Sequence, residues 1–229
     1  MSAKKDFPLL VKLSSYMLPY QIDQKEGKLT QYIEVVVDGG KLLMNTSKVN
    51  YSFGTLHTVF LESFKKLEIQ NREIKKVLIL GFGGGSIVAM LNDDFNINTK
   101  TIGVEADDVV IELAKKHFNL EKYTDLTLVN EDAFNYVLNC KEQFDLIAVD
   151  IFIDDLTPTQ FSNKEFVLAL NKLIAPNGLV CYNRMVSKSG TKNEAQKLIQ
   201  LINETGNKQQ LFEYKLGGSV NWMIAYESK

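Results

Sequence analysis

Apolar positions along this chain follow two rhythms. Between Ser52 and Ile69, residues Phe53, Leu56, Phe60, Phe64 and Leu67 recur at three- and four-residue steps, which predicts a helix with one buried stripe. From Lys76 onward the apolar residues gather into short runs with little alternation. These predict strands at 76–80, 100–104, 126–130, 144–150 and 178–183, separated by helices at 86–95, 107–118, 131–140, 163–175 and 190–204. Strands of that kind are covered on both faces, and their alternation with helices implies a mostly parallel sheet with right-handed crossovers. The fold class is therefore α/β. Ser162 and Glu165 fit a capping box at a helix start, and Pro176-Asn177-Gly178 fits the close of that helix.

Both ends break the alternation. The runs T-Q-Y-I-E-V-V-V (30–37) and K-L-L-M-N (41–45) flank Asp38-Gly39-Gly40, the pattern of a β hairpin. Near the other end, Q-L-F-E-Y-K-L (210–216) and V-N-W-M-I-A-Y (220–226) flank Gly217-Gly218-Ser219, so the sheet should finish in an antiparallel hairpin. The expected organisation is a small N-terminal β element over residues 1–50 and a larger α/β unit over 51–229.

Composition narrows the function. The chain has 229 residues, a formal net charge of -2 and a pI near 5.8. Its basic clusters are only pairs, such as Lys65-Lys66 and Lys115-Lys116, which read as solvated helix faces and argue against nucleic acid as a partner. Two cysteines, Cys140 and Cys181, make no disulfide framework and lack metal-ligand spacing, so no metal is expected. The start M-S-A-K-K-D-F-P-L-L lacks the apolar core of a signal peptide, and no apolar stretch approaches the ~20 residues that span a bilayer. The expectation is a cytoplasmic protein with no membrane partner.

One stretch stands apart: V-L-I-L-G-F-G-G-G-S at 77–86 runs from a predicted strand into four glycines, Gly81, Gly83, Gly84 and Gly85. Glycine costs about 0.5–1 kcal/mol relative to alanine in regular structure, so a compensating contact is expected, and bare backbone pressed against a ligand is the usual one. The position, where a first parallel strand turns into its helix, is the ligand-binding crevice of open α/β sheets. Acids close the next strands: Glu105 in T-I-G-V-E, Asp132 in V-N-E-D-A-F, and Asp150 in D-L-I-A-V-D. A carboxylate in the place of Glu105 can accept both ribose hydroxyls, and one in the place of Asp132 can accept from an adenine amino group. Each acid could instead be a helix cap. Ser86 stands where the dinucleotide fingerprint wants its third glycine, and G-x-G-x-G is the spacing usual for S-adenosylmethionine sites.

These segments together resemble the spermidine synthase family, a branch of the Rossmann-like class I methyltransferase fold. The resemblance is carried by V-L-I-L-G-F-G-G-G-S, G-V-E-A-D-D-V-V, N-E-D-A-F and F-D-L-I-A-V-D, with the hairpin V-D-G-G-K-L-L and Asn50-Tyr51-Ser52-Phe53 before them. It implies an S-adenosylmethionine-dependent transferase, acting with that nucleotide or its decarboxylated form on a small-molecule acceptor. Glu105 would hold the ribose, Asp132 the adenine and Gly83 to Gly85 the reactive end of the donor. Asp150 would be the base for the attacking amine, Tyr51 would meet the acceptor, and relatives suggest a homodimer; Asp154 and Asp155, one and two places beyond the family's second Asp, could attract a cationic acceptor or belong to a solvated loop. The chain departs from the pattern at Gly84, where the family has an Asp, at Phe53, where it has a Glu, and at Ile153, where it has a second Asp. A diamine needs carboxylates to hold one ammonium while the other nitrogen is bared, at about 4–5 kcal/mol near pH 7, so these losses argue against putrescine.

Other residues carry weaker signals. His57 fits a hydrogen-bonded core histidine better than a proton acceptor, and Tyr51 either walls the pocket or starts the helix. Asn183 and Arg184 could hold an acceptor's carboxylate, although a surface arginine is the simpler reading; Trp222 reads as core. Two alternatives stand beside the transferase: a nucleotide-binding module without catalysis, and an NAD-dependent oxidoreductase resting on the glycines and Glu105.

Overall fold

The structure, a computed structural model, describes residues 8–46, 50–52, 55–153, 156–187, 189–216 and 218–228, with the main chain alone for 50–52, 55–56 and 189. The first helix, α1 (Leu9–Ser14), leads into a four-stranded antiparallel sheet of β1 (Tyr20–Lys25), β2 (Ile33–Asp38), β3 (Lys41–Thr46) and β4 (Asn50–Ser52), in that order. The expected hairpin is β2–β3, turning at Gly39 and Gly40 with φ of 53° and 75°. Its flanking strands were not expected: β1 is mostly exposed and β4 is short, so neither shows an apolar period. Tyr51 lies on β4, not at a helix start; the helix α2 (Thr55–Lys66) begins later, and Phe53 lies outside the described residues.

The remaining elements alternate as anticipated. They are β5 (Lys76–Leu80), α3 (Ser86–Ala89), β6 (Lys100–Glu105), α4 (Asp108–His117), β7 (Leu126–Asn130), α5 (Ala133–Asn139), β8 (Phe144–Val149), α6 (Lys164–Lys172), β9 (Ile174–Met185), α7 (Ser189–Glu204), β10 (Gln209–Leu216) and β11 (Ser219–Glu227). They form a seven-stranded sheet in the order β10-β11-β9-β8-β5-β6-β7. The core pairings β7–β6–β5–β8–β9 are parallel, and the β10–β11 hairpin adds antiparallel strands, β11 lying against β9. This is the class I methyltransferase topology that the sequence resemblance implied.

Successive residues of the central strands point to opposite sides, which is why their runs are continuously apolar. Val77, Ile79, Leu146 and Ala148 pack with α2, α3, α4 and the small sheet. Leu78, Leu80, Ile147 and Val149 pack with α5, α6 and α7. Three layers result, and every carboxyl end of the parallel strands opens on one edge.

Local details correct the sequence reading. The N-cap of α6 is Asn163, whose side chain accepts from Phe166 N at 2.8 Å; Ser162 is buried one residue earlier. Pro176-Asn177-Gly178 does not close the helix but lies within β9, where the pairing with β8 slips between Phe144 and Leu146 and Asn177 takes a φ of 62°. The helix expected at 86–95 is α3 followed by a π-helical turn, Met90–Asp94. Among the described residues no helix is long and apolar enough to cross a membrane.

Candidate active site

Each strand end that meets the glycine loop delivers one polar group to the same edge. Gly81 and Phe82 donate their main-chain N–H groups to Val104 O at 3.0 and 3.1 Å, so the loop is tied to the end of β6. Asp150 N in turn donates to Leu80 O at 2.8 Å, drawing β8 up to the same loop. Gly81 has a φ of 81°, and a Cβ there would collide with the Asp150 carbonyl, so two separate constraints demand glycine. The Phe82 ring turns inward over Gly103, where no side chain would fit. What remains above the strand ends is a cavity of about 430 Å³.

Glu105 is buried, 5% exposed, yet forms part of that cavity. One carboxylate oxygen accepts from Gly83 N at 3.0 Å and the other from Asp107 N at 3.2 Å. Burial pushes its pKa up, and these main-chain donors oppose the shift. A carboxylate offers about four acceptor positions, so these main-chain donors leave capacity on the open side.

Asp132 caps a helix and also borders the cavity. Its Oδ1 caps α5, accepting from Phe134 N at 2.9 Å and Asn135 N at 3.2 Å, while Oδ2 stands 3.5 Å from Gln160 Nε2 across the cavity wall. Asp150 is partly buried, and Asn183 Nδ2 donates to its Oδ1 at 2.9 Å. Burial pushes the Asp150 pKa up to about 7, against the pull of the Asn183 hydrogen bond. The amide holds one of the two carboxylate oxygens.

Five of the anticipated residues therefore meet around one cavity: Gly81, Gly83, Glu105, Asp132 and Asp150. Gly84 and Gly85 are buried and do not line it; Gly85 is the left-handed N-cap of α3, packed under Leu120 and Phe82. Asp154 and Asp155 lie outside the described residues. Asn183 binds Asp150, and Arg184 is not on the surface at all: it is 2% exposed, paired with Trp222 of β11 and set against Tyr182. His57 is partly buried, with Nε2 3.9 Å from Asp94 Oδ2, and burial lowers its pKa. Trp222 is core, its Nε1 donating to Glu213.

The sequence reading missed Asp107 and Leu29. Asp107 is 1% exposed; its Oδ1 caps α4 through Val109 N, and its Oδ2 accepts from Lys28 N at 2.7 Å and Leu29 N at 3.0 Å. That carboxylate pins the loop between β1 and β2 so that Leu29 forms part of the cavity wall. The cap was legible in Asp107-Asp108 before an apolar helix; its second grip joins residues some eighty positions apart, and nothing local announces it.

Comparison with known proteins bears on this geometry. Residues 58–220 match the model of the spermine/spermidine synthase domain. The chain belongs to that family. Within the curated proteins, a polyamine aminopropyltransferase of Thermoplasma volcanium is 28% identical over 131 residues, covering 56% of this chain and 45% of the relative. An eEF1A lysine and N-terminal methyltransferase homolog of Drosophila pseudoobscura pseudoobscura is 26% identical over 163 residues, covering 66% of this chain and 23% of the relative. The chain thus spans less than half the length of either. Among solved structures, a probable spermidine synthase from Corynebacterium glutamicum has a TM-score of 0.75 at 17% identity, with 90% of this chain and 79% of that chain covered. Human methyltransferase-like protein 13, solved in complex with SAH, has a TM-score of 0.57 at 17% identity, covering 76% of this chain and 80% of that one. Solved proteins with spermidine synthase and methyltransferase names share this fold.

Proposed function

We propose that this chain is a transferase that binds S-adenosylmethionine or its decarboxylated form and passes a methyl or aminopropyl group to a small acceptor. The observation that carries the reading is the carboxylate of Glu105 joined to Gly83 N on the floor of the cavity, with acceptor capacity still facing inward. Glu105 would take the two ribose hydroxyls, Asp132 the adenine amino group, and the main chain at Gly81 and Gly83 would lie along the sugar and the sulfonium arm. Ala133, Ile151 and Phe161 supply apolar walls for the adenine. The donor, when bound, supplies an electrophilic carbon next to sulfur. The protein must then align an acceptor with that carbon and receive its proton.

Asp150 suits that task. With its pKa near 7 it is ionised in a large fraction of molecules at neutral pH, and it is basic enough to take the proton released as the new bond forms. Asn183 fixes the carboxylate plane. Next to Asp150, Ile151, Phe152 and Ile153 line the cavity with apolar side chains where a diamine would need carboxylates. The acceptor is therefore read as something other than putrescine.

Calorimetric titration with S-adenosylmethionine, its decarboxylated form and methylthioadenosine tests the donor site. Micromolar binding of at least one is expected, and no binding at millimolar concentration overturns the reading. The replacement of the family's acid by Gly84 favours a second reading, a nucleotide-binding module without catalysis; turnover that disappears in Asp150→Asn excludes it.

A further inference from the structure

A surface helix ordinarily turns its apolar stripe towards the body of the protein. The helix α1 does the reverse. Helical hydrogen bonds continue past its last residue, Ser15 N to Val11 O at 3.0 Å and Leu18 N to Ser14 O at 3.1 Å, so one winding runs from Leu9 to Leu18. Val11 and Ser15 face the small sheet. Val11 packs against the core, and Ser15 is buried, its carbonyl accepting from Gly39 N and its hydroxyl from Gly40 N, both at 2.9 Å. That grip fixes the rotation of the helix.

At about 3.6 residues per turn, the side opposite Val11 and Ser15 carries Leu9, Leu13 and Met17, with Leu10 and Tyr16 beside them. These five and Leu18 are between 57% and 87% exposed. The surface they offer is on the order of 800 Å², beyond the roughly 300–600 Å² of the largest apolar patch on a typical monomer. It also matches the ~800 Å² that each partner gives to a stable interface of standard size. Elsewhere among the described residues, the exposed large apolar side chains Leu29, Leu138, Leu156, Leu168 and Leu211 are single and lie in separate segments.

We propose that a second copy of the chain docks on this stripe, α1 of one protomer lying antiparallel against α1 of the other about a two-fold axis through Leu13. The same patch on both copies gives a closed contact that stops at two. Leu9, Leu13 and Met17, at four-residue steps, form a ridge that can interdigitate with its own copy. From Pro8 to Tyr20 the only charged residue is Lys12, at the edge of the stripe, so the patch has the charge-poor centre of a protein interface. A lipid surface is the poorer occupant. One lysine on the segment and a net charge of -2 on the chain give anionic headgroups little to hold.

Sedimentation equilibrium of the full chain over roughly 1–100 μM tests this. A species of twice the 25.9 kDa chain mass is expected. Leu13→Lys and Leu13→Asp, each at an exposed position, should keep the wild-type circular dichroism and weaken the dimer roughly a hundredfold or more. An equimolar mixture of the two variants should associate again, because position 13 meets its own copy at the axis and the charges are then opposite. Leu168→Lys, an exposed leucine of α6, should leave the dimer intact. A monomer throughout the range overturns the proposal, as does a dimer indifferent to both Leu13→Lys and Met17→Lys. Failure of the mixture to associate overturns the two-fold arrangement. A monomer that sediments with vesicles of phosphatidylcholine and phosphatidylglycerol assigns the stripe to lipid and overturns the proposal too. No nucleotide enters these measurements, so their outcome is independent of the transferase reading.

Discussion

The carboxylate of Asp107 accepts the main-chain N–H of Leu29 at 3.0 Å and so brings a loop of the small sheet onto the wall of the cavity. Its neighbour Lys28 N is bound at 2.7 Å by the same oxygen, and a Cβ on Gly27 would come within 2.5 Å of it. The loop wraps the acid closely. Because Asp107 N also donates to Glu105, the strap and the proposed ribose ligand share one residue.

Asp107→Ala should therefore harm both stability and donor binding. It removes a helix cap and leaves two part-buried N–H groups without their acceptor, a combined cost of roughly 2–3 kcal/mol. A thermal melt should fall by roughly 5–10 °C for a chain of this size. Methylthioadenosine affinity measured by calorimetry should fall with it. An unchanged affinity would show that Leu29 and its loop play no part in the site.

Glu105→Gln keeps the shape of the side chain and replaces one acceptor oxygen with a donor. That amide would face either Gly83 N or Asp107 N, both of which already donate. Nucleotide affinity should drop roughly tenfold to a hundredfold by calorimetry. Wild-type affinity in this variant would remove the main support for the donor site.

Asp150→Asn should abolish turnover and leave nucleotide binding intact. In the wild type the ionised form is the base, so the rate should climb with pH through about 7. Stability runs the other way. The folded chain keeps a proton on Asp150 that the unfolded chain has released between about pH 4 and 7, so the wild type loses stability as the pH rises through that window. The Asn variant should consequently be the more stable of the two at pH 8 and nearly equal near pH 4, as read from urea midpoints.

The small sheet is held to α4 by Asp23, which accepts from Lys116 Nζ and meets His117 Nε2, each at 2.7 Å. Lys116 first and His117 second hold the Asp23 pKa down at about 2. A depressed carboxylate contributes stability above its ordinary pKa and loses it as the pH falls towards 2. Asp23→Asn should be less stable than wild type at pH 7, and the gap should close between about pH 4 and 2. A gap independent of pH would place the effect in packing and not in charge.

Two glycines of positive φ should respond very differently to alanine. At Gly39, with a φ of 53°, nothing lies within 4 Å of a new Cβ, so the cost is backbone strain of about 1 kcal/mol. At Gly81 the same strain adds to a collision with the Asp150 carbonyl. Gly81→Ala should give little soluble protein and no nucleotide binding, while Gly39→Ala should melt within a few degrees of wild type.

Much of the architecture was legible because it is local. Continuous apolar runs between helical periods mark strands buried on both faces, and β5, β6, β7 and β8 fall within a residue of the expected bounds. The acids at the ends of those strands could be assigned to one crevice without coordinates, since parallel strands place their carboxyl ends on a single edge. Of the two readings of Asp132, the cap is seen directly, and the second oxygen lies beside Gln160 at the cavity.

What the one-dimensional pattern left open are relations between residues distant along the chain. The strands β1 and β4 carry no period of their own and exist because β2 and β3 offer edges to pair with. Leu29 reaches the cavity only through Asp107, and the direction of Asn183 towards Asp150 follows from the β8–β9 register. Arg184 reads as a surface residue from its type. It is enclosed because β11 pairs along β9 there and its same-face neighbour Tyr182 packs with Leu198 and Ile202 of α7, a matter of register and layering that periodicity cannot encode.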